Sequence, residues 1–321
     1  AEYEEWIAKK PWSNGRVGIV GHSWPGLMGF LVATTNPPSL KAVCVSGLIE
    51  DFYRGVAWIG GVRNCGFPVD WLNSYYRPDG PFNSGAAAQA VRGLDDAAHA
   101  EIVASRPRRD MKGDMLWDLM YEPYDCPRWQ EQSLYTYASR VRAPILIMHT
   151  YQDEQTGPSG WRLWKHVPDE IPKRLILTNG AHDVAPSSNP DSAAWLQRWL
   201  LGDEDGPEFD ARRRVQVYFE TRLGDERKRF HLNAPLEAAD FPLLDTAWSP
   251  FYLRSGRTLA ESPPQTDEPP ARYRVTHGEM SDDSEHVDYA VEFDEPTAIC
   301  GPAVLTLYAE LTTLDADFFA L

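Results

Sequence analysis

Val17-Gly18-Ile19-Val20-Gly21-His22-Ser23-Trp24-Pro25-Gly26 decides the fold of this 321-residue chain. An apolar, β-branched run ends in Gly-x-Ser-x-x-Gly and passes at once into the helix-like Leu27-Met28-Gly29-Phe30-Leu31-Val32. A buried strand, a sharp turn carrying serine and a helix together make the context of a nucleophile elbow. Such a turn crowds backbone against backbone, so small residues are needed beside the serine, and Gly21 supplies one two positions earlier. Pro25 stands where a second glycine is usual, with Gly26 next. In the first helical turn the missing N–H of Pro25 costs little. The turn puts Ser23 at a helix N-terminus, where the dipole favours a developing oxyanion and the Trp24 N–H would be one donor to it.

Outward from this stretch, Ala42-Val43-Cys44-Val45, Pro144-Ile145-Leu146-Ile147-Met148 and Arg174-Leu175-Ile176-Leu177 read as further buried strands. They lack polar alternation, as strands covered on both faces do. Helix-like segments follow at Gly26 to Thr34, Gly160 to His166 and Asp191 to Leu200. Alternating strands and helices imply an α/β fold on a mostly parallel sheet. Between about 50 and 139 the pattern changes to a stretch rich in Gly, Pro and aromatics, then an Ala-rich helical stretch from Gly85 to Asp118. This insertion reads as a helical cap over an active site. Gly202 to Asp210 suits a linker. Beyond it, Val215 to Glu220, Trp248 to Leu253, Ala271 to Val275, Tyr289 to Phe293 and Ala303 to Leu311 are short strand candidates suggesting a β-sandwich. The expected domains are 1–205 and 206–321.

Composition removes several function classes. With 47 Asp+Glu against 31 Lys+Arg the net charge is −16, the wrong sign for a phosphate-binding surface. No apolar run approaches the ~20 residues of a spanning helix. Twelve Trp and 43% apolar residues need a packed core. Cys44, Cys65, Cys126 and Cys300 are scattered, with no metal or redox spacing, and Cys44 reads as a small core residue. No metal-ligand cluster or phosphate loop is visible, so no cofactor is expected. Neither Ala1 nor Leu321 reads as a natural terminus. Both domains are therefore expected to be truncated, the lack of a signal peptide says nothing, and localisation stays open with the cytoplasm preferred.

A serine nucleophile needs a base, and the base an orienting carboxylate. In chain order Ser, acid, His, each follows a strand. Asp153 stands four residues beyond His149, just past the third strand, with Glu154 as the competing acid, and His182 follows the fourth strand through Thr178-Asn179-Gly180-Ala181. His149 reads as a pocket or core residue and His22 as packing beside the elbow. His99, His166, His231, His277 and His286 are read as structural, and Asp282 to Glu285 as a solvated loop.

Gly21-His22-Ser23-Trp24-Pro25-Gly26 resembles the Gly-x-Ser-Tyr/Trp-x-Gly elbow of the CocE/NonD hydrolases, which include Xaa-Pro dipeptidyl-peptidases, cocaine esterase and α-amino-acid ester hydrolases. Glu5-Trp6-Ile7-Ala8, Pro11 through Gly18, Leu40-Lys41-Ala42-Val43, Asp51-Phe52-Tyr53-Arg54, Tyr151-Gln152-Asp153 and Gly180-Ala181-His182 are similar to the family's pattern. So are Phe251-Tyr252-Leu253, Glu261-Ser262-Pro263-Pro264 and Gly301 through Phe318. The resemblance implies an α/β-hydrolase fold with a cap, then a jelly roll. It implies Ser23 as nucleophile, His182 as base, Asp153 as acid and Trp24 as an oxyanion donor. The family's second donor, a tyrosine hydroxyl, comes from a segment upstream of this chain's first residues, so the hole is expected to be incomplete and a sheet edge unpaired.

The expected function is ester or amide hydrolysis through an acyl-enzyme, on a small ester or a short peptide. Phe52, Tyr53, Trp58, Phe67 and Trp71 are candidate pocket residues, and Glu50 and Asp51 could attract a substrate ammonium. A homo-oligomer is compatible with the sequence, whereas nucleic acid and membrane partners are not expected. Acyl transfer on the same triad and a non-catalytic jelly-roll binding protein are the rivals.

Overall fold

A computed structural model of the chain describes residues 2–76, 97, 119, 121–182, 190–202, 214–219, 235–244, 246–274, 286–295, 297–314, 316–318 and 320. They fall into two compact units, 1–239 with 309–321, and 240–308.

The first unit opens with α1 (Glu2–Ala8), β1 (Val17–His22), α2 (Trp24–Thr34) and β2 (Leu40–Ser46). β3 (Trp58–Ile59), β4 (Val62–Arg63), α3 (Phe67–Tyr76), α4 (Pro127–Gln132) and α5 (Tyr135–Ala138) follow. Then come β5 (Ile145–Thr150), α6 (Leu163–His166), β6 (Lys173–Thr178), α7 (Pro190–Leu196), β7 (Val215–Val217) and β8 (Leu236–Ala238). One six-stranded sheet runs in the order β1-β2-β5-β6-β7-β8. Its pairings are parallel as far as β7, and β8 is antiparallel.

The unbroken apolar strands have two covered faces. α2 lies on the face presenting Ile19 and Val45, so close that a side chain at Gly29 would meet Ile19 at 2.6 Å. On the other face Ala42, Cys44, Leu146, Met148 and Ile176 pack beneath Trp195 of α7. Alternate side chains of one strand thus reach opposite layers. Cys44 is the core residue expected of it, and burial pushes its thiol up to about 12. Parallel register aligns the strand ends as well: His22 lies opposite Ser46, and Thr150 opposite Thr178. The loops after β1, β2, β5 and β6 therefore open on one edge, where α/β sheets place their ligands.

Three expectations change. Val215 to Glu220 does not open a sandwich. Val215 and Val217 are buried, and β7 extends the parallel sheet beside β6. The division consequently falls at 240 rather than 206, because β7 and β8 are ladder partners of the first unit. In the second unit the described ladders are β9 (Tyr252–Leu253) with β10 (Leu259–Ala260), plus a Thr258–Ala290 bridge. Described residues 271–274 and 303–311 form no ladder, and Val304, Leu305 and Tyr308 are exposed. Alternating apolar residues make a strand only where a partner edge takes their backbone groups. The Ala-rich stretch 85–118, expected to be helical, lies outside the described residues apart from Ala97, as do most of the linker and 282–285. What is described of the insertion, α3 to α5 and the β3–β4 hairpin, leaves the sheet between β2 and β5.

Candidate active site

Ser23 sits between β1 and α2 with φ 59° and ψ −131°, a conformation that costs a non-glycine residue about 1–3 kcal/mol. The surrounding backbone holds it there. Ser23 N–H donates to the Ser46 carbonyl at 3.0 Å, and Leu27 N–H donates to the Ser23 carbonyl at 2.9 Å. A Cβ on Gly21 would lie 2.4 Å from the Pro25 carbonyl oxygen, and one on Gly26 would lie 2.5 Å from that of Ser46. The close approach usual two residues past the serine has moved one residue on. That is why Pro25 is tolerated and Gly26 is needed.

His182 Nε2 lies 2.8 Å from Ser23 Oγ, while its Nδ1 lies 2.9 and 3.0 Å from the two carboxylate oxygens of Asp153. An ionised carboxylate only accepts, so Nδ1 carries the proton and Nε2 is free to accept from the serine hydroxyl. Asp153 is buried. It accepts from the Gln155 N–H at 2.9 Å, the Thr156 N–H at 2.7 Å and the Thr156 hydroxyl at 2.6 Å. Burial alone would raise this carboxyl, but the hydrogen bonds from His182 and Thr156 outweigh it and hold the carboxyl down at about 2. Glu154, the competing acid, accepts from the backbone N–H of His182 at 3.2 Å. It braces the loop rather than the ring.

Gly47 faces this triad with φ +59°. An added Cβ would sit 2.9 Å from Ser23 N, 3.0 Å from His22 Cε1 and 3.1 Å from His182 Cε1. His22 packs against His182 with centroids 4.6 Å apart and ring planes tilted by 43°, and its Nδ1 lies 2.7 Å from Ser46 Oγ. The packing role expected for His22 is thus played against the His182 ring. His149 is a core residue: burial pushes its imidazole down to about 4, so it stays neutral at pH 7.

A cleft of about 620 Å³, counting its open mouth, begins at Ser23 and Trp24. Of the sequence candidates, Phe52, Phe67 and Trp71 line it. Trp71 packs between Trp24 and Phe67 at centroid distances of 5.7 and 6.5 Å. Tyr53 and Trp58 are not in the lining. The Tyr53 hydroxyl donates to the Pro123 carbonyl at 2.7 Å, and Trp58 lies under Arg63. Glu50 and Asp51 also stand apart from the lining, each with a cationic partner or a histidine: Glu50 with His166 at 2.9 Å, and Asp51 with Arg54 at 2.8 Å. Sequence reading missed Thr156, Gly47, Leu119 and Trp129. Only Thr156 had a local signal, since a hydroxyl three residues past an Asp can close a turn on it. The others reach the site through the tertiary fold. Among the described residues no group of His, Cys, Asp and Glu could hold a metal.

Residues 1–183 match the family model of the X-Pro dipeptidyl-peptidases of the S15 family. The chain belongs to this family. Relatives of the chain include cocaine esterase from Rhodococcus sp. (strain MB1 Bresler), 25% identical over 278 residues, which cover 77% of this chain and 46% of that one. An Xaa-Pro dipeptidyl-peptidase of Streptococcus pneumoniae (strain Hungary19A-6) is 27% identical over 208 residues, 61% of this chain and 25% of the relative. The chain thus spans less than half the length of these curated relatives. Among solved structures, a CocE/NonD family hydrolase from Staphylococcus aureus superposes with a TM-score of 0.59 at 20% identity, over 81% of this chain and 41% of that one. An α-amino acid ester hydrolase gives 0.57 at 16% identity, over 84% and 47%. Both likenesses fit an α/β-hydrolase-like fold for the S15 chain.

Proposed function

We propose that the protein is a serine hydrolase that cleaves an ester or amide bond through an acyl-enzyme, with Ser23 as nucleophile, His182 as base and Asp153 as orienting acid. One observation carries the reading: a strained serine whose Oγ lies 2.8 Å from the Nε2 of a histidine anchored through its other nitrogen on a buried carboxylate. Ser23 Oγ attacks the carbonyl carbon as its proton passes to His182 Nε2, giving a tetrahedral oxyanion. The N–H of Trp24, first residue of α2, has no intrahelical acceptor and donates to that oxyanion. His182 then protonates the leaving alcohol or amine as its bond to the carbonyl carbon breaks. A water then attacks the acyl carbon as its proton passes to the same nitrogen. The ester bond to Ser23 Oγ breaks as Nε2 returns that proton to Oγ, freeing the acid and the serine. Asp153 stays ionised throughout and holds the tautomer.

Substrates in this reading are small esters or short peptides, in keeping with relatives named as an esterase and a dipeptidyl-peptidase. A fluorophosphonate probe tests it. The wild-type protein should be labelled at Ser23 and the Ser23→Ala variant should not. Equal labelling of both would remove Ser23 from the mechanism, and labelling of neither would favour a non-catalytic role. Product analysis with added alcohol or amine separates hydrolysis from acyl transfer.

A further inference from the structure

We infer that the cleft beside Ser23 selects an uncharged, apolar, preferably aromatic group next to the scissile carbonyl and discriminates against one bearing an ammonium. The inference rests on the hydrolytic reading above and narrows its substrate class.

Its first support is the wall. Between Trp24 and Trp71 the lining is aliphatic or aromatic, including Leu27, Ile49, Val56 and Leu119. No described lining residue is charged. Two polar groups at its margin already have partners. The Thr156 hydroxyl donates to Asp153, and the Gln155 side-chain amide donates to Glu154 at 3.3 Å. Trp129, which also lines the cleft, turns its indole N–H away to the Glu122 carbonyl at 3.2 Å. An ammonium entering here would lose water and meet no carboxylate among the described lining residues, so no ion pair there offsets a desolvation cost of several kcal/mol. An aryl or alkyl group would lose nothing and bury its surface.

The second support is what became of the nearby acids. Two consecutive carboxylates after β2 look like an ammonium trap in the sequence. In the fold both are buried and engaged. Asp51 takes the Arg54 guanidinium at 2.8 Å and the Arg54 N–H at 3.0 Å. Arg54 in turn reaches Asp125 at 2.8 Å. Glu50 holds His166, whose ring packs on Tyr135 at 5.9 Å. Asp153 is committed to His182. Glu154, next in the chain to Asp153, is exposed, and its two oxygens face the His182 N–H and the Gln155 amide.

Matched ester pairs test the inference. On the acyl side, p-nitrophenyl 3-phenylpropanoate is compared with the p-nitrophenyl ester of phenylalanine. On the leaving-group side, the butyrate of 3-phenylpropanol is compared with that of phenylalaninol. Each pair differs only by the ammonium, and each rate is divided by spontaneous hydrolysis. The neutral member should win by about tenfold or more in kcat/KM in at least one pair, with the ammonium ester ahead in neither. Any other pattern overturns the inference. Phe67 is only half-buried, so Phe67→Asp can add a carboxylate to the wall, and this should move the preference toward the ammonium ester by about tenfold. Absence of fluorophosphonate labelling in the wild type would be a failure of the hydrolytic reading itself and is read separately from the ester ratios.

Discussion

Two single residues carry the sharpest expectations. Asp153→Asn should lower kcat by about 10⁴ with the fold intact, because the amide no longer enforces the Nδ1–H tautomer. Steady-state kinetics beside an unchanged circular dichroism spectrum checks it. The same carboxylate makes a stability prediction. Its folded pKa of about 2 lies below the ordinary value of 3.8. The stabilisation it contributes is therefore present in full above about pH 4 and is lost as pH falls toward 2. Urea unfolding of wild type and Asp153→Asn from pH 6 to pH 2 should show a gap that is constant above pH 4 and closes below it. At Gly47 the φ of +59° and an added Cβ within 3.1 Å of the His182 ring disfavour any side chain. Gly47→Ala should cost about 1–2 kcal/mol in stability and, by moving His182 off Ser23, about a hundredfold in kcat.

Elements explain why the triad can be assembled at all. The serine, acid and base lie 130 and 29 residues apart in turn along the chain, at positions 23, 153 and 182. Parallel register between β1, β2, β5 and β6 closes those gaps. The strands were legible because a doubly covered sheet writes itself as unbroken apolar runs, as in Ala42 to Val45 and Ile145 to Met148. The elbow was legible because its crowding demands glycine locally. The assignment of Val215 to Val217 went astray because three residues with two valines read alike in a sandwich and in a parallel sheet; only pairing with Leu175 to Leu177 distinguishes them. Lys173, at the start of β6, was no candidate for anything, yet it is buried and donates to the carbonyls of Trp164 and Val167, both at 2.8 Å. It caps the end of α6 from below. Lys173→Met should strand those carbonyls and lower the unfolding free energy by about 1–3 kcal/mol. It should leave kcat unchanged, since it lies at the opposite end of the strand from the triad. Chemical denaturation paired with active-site titration measures both.

For the whole molecule, the net charge of −16 and the neutral cleft act in opposite directions on a cationic substrate. The long-range field attracts it, and the field fades as salt shortens the Debye length to about 10 Å at 0.1 M. The cleft wall, being short-range, is indifferent to salt. Between 10 and 300 mM NaCl, kcat/KM for the phenylalanine ester should fall several-fold, about the range expected of surface steering, while that for the neutral 3-phenylpropanoate stays flat. Stopped-flow measurements on the pair separate encounter from recognition. The sequence by itself determined what depends on neighbours along the chain: the buried strands, the strained turn at Ser23, and the chain order of serine, acid and histidine. Tertiary structure alone decided what depends on distant neighbours. Asp51 reads as an open acid until Arg54 and Asp125 are placed around it, and Phe52, Phe67 and Trp71 become one wall only when α3 and the loop after β2 meet above Ser23. Local sterics are written in adjacent residues, whereas a charge or a ring takes its role from whatever the fold brings against it.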